Sequence, residues 1–240
     1  MLSKKSSEGK INRLLAALSP TEYQQLLPEF KEVWLDDNQV IYQPNEEITE
    51  VYFPLDALIS IVSTLKDGST TEIAVIGNQG IVGLPVLWGG STSIVNTVVQ
   101  VAGNAIKLSA NKLKSECSKK GQLENLLQLY TQALFAQIAQ NAACNVHHTI
   151  EQRLARWLLT VQDCIPQNEL PLTQEFMASM LGVRRSGVTQ AAGMLQRAKI
   201  IRYVRGKITI LNREALEEIS CECYQVVKQE YKRLFDNLSS

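Results

Sequence analysis

From Leu123 to Leu159 the chain reads "LENLLQLYTQALFAQIAQNAACNVHHTIEQRLARWLL", without one glycine or proline. Leu123, Leu127, Leu134, Ile138, Val146, Ile150 and Leu154 recur along it at mostly helical spacing. One helix over residues 122–160 would reach almost 60 Å, at about 1.5 Å per residue. A small β domain needs less than that to cover its core. The far face of such a helix calls for a second partner, most simply the same helix of another copy. Leu127, Leu134, Ile138 and Val146 are the expected dimer-facing residues. Two consecutive helices are the alternative, with "QNAACN" at the join.

The flanks differ in texture. Residues 11–27, "INRLLAALSPTEYQQLL", predict two short helices meeting at Ser19-Pro20, with Ser19 as a cap and Glu22 three residues later. From Val33 to about Leu108, β-rich runs such as "VYFPL", "ALISIVSTL" and "TEIAVIG" alternate with turn signals such as "KDGS" and "GNQG". Many short strands at close spacing predict a barrel, roll or sandwich. Hydrophobic content is 45% and charged content 20%, as in ordinary globular chains. No apolar run is long enough to span a bilayer. No apolar segment follows the basic start "MLSKKSSEGK", so a cytoplasmic protein is expected. Five cysteines, an odd number, argue against a disulfide framework.

Beyond the connection "QDCIPQNELP" (162–171), the pattern is "TQEFMASMLGVRRSGVTQAAGMLQRAKII". Thr173 is placed to cap a helix whose apolar side is Phe176, Met177, Met180 and Leu181. Gly182 falls just past that run, where a left-handed residue turns the chain. A second helix starts near Arg184 and Arg185 and buries Val188, Ala191, Ala192 and Leu195. This is a helix-turn-helix pattern. Two arginines at a helix N-terminus oppose the helix dipole, which suggests an anionic partner facing that end. Arg184, Arg185, Ser186, Thr189 and Gln190 are the candidate base-reading residues. "IIRYVRGKITIL" follows, with Arg205-Gly206 as a hairpin turn. A hairpin there makes a winged helix-turn-helix, with Thr173, Arg202, Arg205 and Lys207 as candidate phosphate contacts.

Charge agrees with that placement. The chain is neutral overall, yet residues 172–213 hold 8 basic residues against Glu175 alone. A positive block within a neutral chain suits a polyanion-binding module. A solvated surface patch is the bland alternative.

With "EQRLARWLL" (151–159), "LTQEFMASMLGVRRSGVTQAAGMLQ" (172–196) and "IRYVRGKITIL" (201–211) in view, the chain resembles the Crp/Fnr family of bacterial transcription regulators. The resemblance implies an α+β chain in three parts. Residues 1–121 form a double-stranded, jelly-roll-like β-roll of the cyclic-nucleotide-binding type. Residues 122–160 form a long dimerisation helix, and residues 161–240 a winged helix-turn-helix with a helical extension. It also implies sequence-specific binding of a pseudo-palindromic duplex as a homodimer, with RNA polymerase as a further partner. Arg185 matches the family's base-contacting arginine. Ser186 and Gln190 depart from the residues many members carry there.

The resemblance places the effector pocket at Gly83, Leu84, Pro85, Ile94, Val95, Ile138 and Ala139. Leu84 stands where cyclic-AMP-binding members have an acid, and Ile94 and Val95 where they have Arg-Ser. Isoleucine and alanine at 138 and 139 replace hydroxyl side chains that would meet the base. No arginine lies between Arg13 and Arg153. A buried phosphate without a cation is strongly disfavoured, so cyclic AMP is not the expected ligand. The pocket is expected to be filled by side chains or to take a more apolar molecule.

No cofactor or metal is predicted. No cysteine precedes Cys117, unlike the iron–sulfur sensors of the family, and His147 and His148 lie on the long helix rather than in the roll. Cys221 and Cys223, in "CECY", lack sequence neighbours at zinc spacing and are expected to pack in a last amphipathic helix with Leu216, Ile219, Val227 and Leu234. No catalytic constellation stands out, so no enzyme is predicted. A small-molecule sensor that acts through protein contact is the competing function.

Overall fold

The computed structural model describes residues 11–165 and 169–236. The basic start, part of the predicted connection (166–168) and residues 237–240 lie outside the described residues.

Asn12 caps α1 (Arg13–Ala16): its side-chain oxygen accepts from the Leu14 and Leu15 amides. Its Nδ2 donates to the Pro54 and Gly80 carbonyls, so the buried asparagine is fully engaged. Ser19 caps α2 (Pro20–Leu26), with proline in the first turn, as the sequence predicts.

The strands of the roll follow: β1 (Lys31–Leu35), β2 (Val40–Tyr42), β3 (Glu50–Pro54), β4 (Leu58–Thr64), β5 (Thr70–Ile76), β6 (Asn96–Val101) and β7 (Gly103–Ser109). They form two antiparallel sheets, in the orders β1-β7-β3 and β2-β6-β4-β5. Leu35, Val51, Phe53, Ile59, Val99 and Leu108 are buried between and around them. Burying a side chain of this kind is worth about 1.5–3 kcal/mol.

Then come α3 (Ala110–Cys117), α4 (Gln122–His147) and α5 (Ile150–Cys164). α4 lies along β5, the outer strand of its sheet, and two buried side chains tie them together. Gln137 Oε1 accepts from the Val75 amide at 2.9 Å, and Asn141 Nδ2 donates to the Ile73 carbonyl at 2.7 Å. A sheet edge is thereby covered by a helix.

The single helix expected over 122–160 is two. The join is at His148–Thr149, beyond "QNAACN". Thr149 forms a capping box with Gln152: each side chain accepts from the other's backbone N–H. The two new N–H bonds stabilise a fresh helix start. Thr149→Ala is expected to cost about 1 kcal/mol, read as a lower urea midpoint at unchanged slope.

The face of α4 also differs from expectation. Leu127 and Leu134 are 1% and 8% exposed within the chain's own core, so they cannot meet a second copy. Ile138 is half-buried, and of the four residues expected at a dimer seam only Val146 is exposed. The reason is β5: the leucine stripe faces the roll.

The C-terminal part comprises β8 (Glu169–Leu170), α6 (Gln174–Leu181), α7 (Arg185–Arg197), β9 (Ile201–Val204), β10 (Lys207–Ile210), α8 (Arg213–Ile219) and α9 (Cys223–Asp236). The expected last helix is therefore interrupted at Ser220–Glu222. α9 does not pack with the rest of the C-terminal part alone. It lies on α4 and adds Val227, Tyr231 and Leu234 to the core of the roll.

A second core holds Leu154, Trp157, Leu158, Met177, Leu181, Val188, Leu195 and Ile208, and it reaches Leu58, Val75 and Val101 of the roll. At this junction Glu72 of β5 is buried. Its Oε1 accepts from Trp157 Nε1 at 2.8 Å, and its Oε2 from Ser60 Oγ at 2.6 Å and Gln100 Nε2 at 2.5 Å. Burial pushes its carboxyl up to about 7, against the downward pull of those bonds and of Arg156. The folded chain thus keeps a proton that the unfolded chain releases near 4.5. That contribution is complete below about pH 4.5 and is lost as pH rises through 7, a change of about 3 kcal/mol. Glu72→Gln should remove this component, seen by comparing urea midpoints at pH 5 and pH 8 for both proteins.

Candidate nucleic-acid interface

The turn between α6 and α7 is built on Gly182, at φ 62°, the left-handed residue the sequence predicts. Space constrains it too, since a Cβ there would lie 2.6 Å from Thr71 Oγ1 on β5. The second glycine, Gly187, lets α7 approach α5, where a Cβ would lie 2.6 Å from Ile150 Cδ1. Arg153 Nη2 donates to the Leu181 carbonyl, closing the open end of α6, and to Asn145 Oδ1 at 2.8 Å. Thr70 and Ser179 share a hydroxyl–hydroxyl hydrogen bond. The first helix of the pair is thus fixed on the roll.

The second helix buries Val188, Ala191, Ala192 and Leu195, the face expected. Arg184, Arg185, Ser186, Thr189 and Gln190 are all exposed. Arg184 takes the N-cap position without a side-chain cap bond. Arg185 Nη1 lies 3.7 Å from Glu175 Oε2 in a solvent-exposed pair. The Thr189 hydroxyl is 2.7 Å from Gln174 Oε1 and 3.0 Å from the Arg185 carbonyl, so it also braces α6 against α7.

β9 and β10 form the predicted hairpin, with Lys207 opposite Val204. Arg205 and Gly206 have φ of 50° and 79°, as a two-residue turn with two left-handed positions requires. Arg202, Arg205 and Lys207 are exposed, and so is Thr173, which caps α6 by accepting from the Phe176 amide. Gly206 lies against the Thr173 methyl group, so the hairpin tip and the start of α6 form one surface. One acid was missed in the sequence. Glu169 on β8 meets Lys207 at 2.7 Å, and the ammonium holds its carboxyl below the ordinary range.

Within the roll a cavity of about 450 Å³ opens between the sheets and α4. Gly83, Leu84, Pro85, Ile94, Val95 and Ile138 line it, together with Tyr42, Trp88, Thr131 and Phe135. Ala139 does not: it points away on the exposed side of α4. Gly83 has φ 105° and starts the 3-10 turn Leu84–Trp88. Among the described residues, no charged side chain lines the cavity.

The family model of the cyclic nucleotide-binding domain matches residues 32–120, and that of the Crp-like helix-turn-helix domain matches residues 152–219. The chain belongs to the Crp/Fnr family. Its fold resembles that of FixK2 from Bradyrhizobium japonicum at 17% identity and TM-score 0.69, over 80% of this chain and 98% of that one. It also resembles a Crp/Fnr-family transcriptional regulator from Thermus thermophilus at 20% identity and TM-score 0.62, over 79% and 98%. A third likeness is the c-di-GMP responsive regulator CLP of Xanthomonas campestris, at 12% identity and TM-score 0.65, over 80% and 99%. No curated protein matches the chain at the sequence level.

As a Crp/Fnr member the chain is a DNA-binding transcription regulator. No helix among its described residues is long and apolar enough to cross a membrane. The two family matches leave all of α4 and all of α9 outside both. In that unmatched territory Cys221 and Cys223 do have partners. Cys144 and His148 stand beside them, four residues apart at the end of α4, a spacing that was visible in the sequence.

Proposed function

We propose that this regulator binds a pseudo-palindromic duplex as a homodimer, with α7 of each copy in the major groove. The supporting observation is that all five candidate base-reading residues lie exposed around the N-terminal half of α7, with the positive hairpin beside them. Arg185 and Gln190 are suited to bidentate pairing with guanine and adenine. Half-site centres would lie about 34–36 Å apart.

The row Gln128, Gln132, Phe135, Ala139, Ala142 and Val146 supports dimerisation. These residues are exposed at alternating four- and three-residue steps, the repeat of a coiled-coil seam. Phe135 and Val146 are 70% and 77% exposed, unusual for large apolar side chains on the open face of a helix. RNA polymerase as a further partner rests on the family alone.

The uncharged cavity favours an apolar effector over a cyclic nucleotide, whose phosphate would be left without a cation. Phe135 and Ile138 put α4 at its wall, so an occupant would bear directly on the helix that carries the exposed row.

Selection of bound duplexes from a random pool by the full chain tests this reading. A two-fold symmetric motif is expected, and recovery without any sequence enrichment would overturn it. Arg185→Ala should lose about 1–3 kcal/mol of discrimination at one base pair per half-site, measured by competition with single-base variants.

A further inference from the structure

Four metal-binding side chains meet where α4 ends and the break between α8 and α9 begins. Cys144 is in the last turn of α4 and His148 one step past it, so both fall on one side. Cys221 lies in the break and Cys223 is the first residue of α9, one on each side of Glu222. Cys144 Sγ lies 3.4 Å from Cys221 Sγ, and His148 Nδ1 lies 3.7 Å from Cys223 Sγ. The four ligand atoms all fall within 4.8 Å of one another. A tetrahedral ion with metal–sulfur bonds of about 2.3 Å holds neighbouring sulfurs about 3.8 Å apart. The 3.4 Å sulfur–sulfur distance and the 4.8 Å limit on the whole group are of that size, and they suit one ion rather than an iron–sulfur cubane, which would spread its cysteines more widely.

The surroundings fit as well. All three thiols are buried, as in closed structural sites. His148 turns Nδ1 toward the thiols while its Nε2 lies 3.2 Å from Glu222 Oε2. Donation of Nε2–H to that carboxylate leaves the Nδ1 lone pair free, the usual orientation of a metal-bound histidine. Three thiolates and one neutral imidazole around a dication sum to a single negative charge. The buried Arg156 guanidinium interacts electrostatically with Cys144, so its positive charge offsets that of the site. None of the four residues falls within either family match.

We infer that Cys144, His148, Cys221 and Cys223 form a closed tetrahedral site for one thiophilic divalent cation, zinc above all, which clamps the end of α4 to the α8–α9 break. Binding releases the thiol protons to solvent and leaves every sulfur at its oxidation state.

Cobalt(II) titration of the full-length reduced chain under anaerobic conditions tests the assignment. One cobalt per chain is expected, with the intense visible bands and thiolate charge-transfer absorption of a tetrahedral sulfur-rich site, bleached by zinc. Cys144→Ser and Cys223→Ser should abolish these bands, and Cys117→Ser, which alters a buried thiol elsewhere, should retain them. Glu222 is 75% exposed at its side chain, so Glu222→Gln is a mild change; it should weaken metal affinity about 10- to 100-fold. His148→Gln should weaken it as well, whether or not the serine variants fold. Absence of cobalt bands in the folded chain would overturn the inference. So would unchanged bands in Cys144→Ser, unchanged affinity in both Glu222→Gln and His148→Gln, or a Cys144–Cys221 disulfide that persists without bound metal.

Discussion

Between 50 and 200 mM salt, the affinity of the chain for duplex DNA should fall by about a thousandfold. On the proposed reading each copy would offer Arg202, Arg205 and Lys207 to phosphates, and a symmetric pair would offer six such contacts. Each releases about 0.9 of a counterion, so log K should fall against log salt with a slope of about −5. Fluorescence anisotropy over a salt series measures that slope directly. Arg205→Ala should flatten it by about 2, since it removes one contact from each copy. Lys207→Ala should do less, because Glu169 already competes for that ammonium. Arg205→Asn separates binding from folding. Asparagine tolerates the left-handed turn position better than arginine, so the hairpin should be at least as stable while DNA binding weakens. A slope near zero with intact binding would remove phosphate neutralisation from the mechanism.

The largest stability effect is expected at Trp157. It is 1% exposed, lies 6.3 Å from the Phe176 ring, and donates its indole N–H to Glu72. Trp157→Ala should cost about 3–5 kcal/mol, the cavity adding to the lost burial. The melting temperature should drop by roughly 10 °C or more. Trp157→Phe keeps most of the volume and removes only the donor, so it should cost about 1–3 kcal/mol. If the two variants melt alike, the hydrogen bond rather than packing holds this junction. Because Trp157 and Glu72 come from different halves of the chain, limited proteolysis of the alanine variant should cut between α5 and α6 earlier than in the parent.

How much of this was legible depended on how local each signal was. Gly182, Thr173 and the apolar set Val188–Leu195 mark α6 and α7 within about twenty residues, and the Arg205-Gly206 turn marks its own hairpin. The strands were legible as alternating runs, but not their order in two sheets, which depends on distant partners. The break at Thr149 was also written locally: "TIEQ" is a capping box inside a run that otherwise reads as unbroken helix. The leucine stripe of α4 was visible, yet its neighbour was misassigned, because helical spacing says which residues share a face and not what that face meets. Ala139 was expected at the cavity from the resemblance alone, which does not fix the side of α4 on which that residue falls. The pairing of Cys144 with Cys221 spans 77 residues, and Glu72 with Trp157 spans 85; no periodicity reports such meetings. The apolar residues Val227 and Leu234 marked a last amphipathic helix without naming α4 as its bed.

That bed has a practical side. With α9 laid beneath the roll's side of α4, the last helix of the chain completes the core of the first half. Severing the gene at the α5–α6 link would give one fragment with an uncovered hollow and another with a greasy, homeless helix. Neither piece is a faithful stand-in for its half of the parent, so any attempt to isolate the roll should graft α9 back onto the N-terminal fragment.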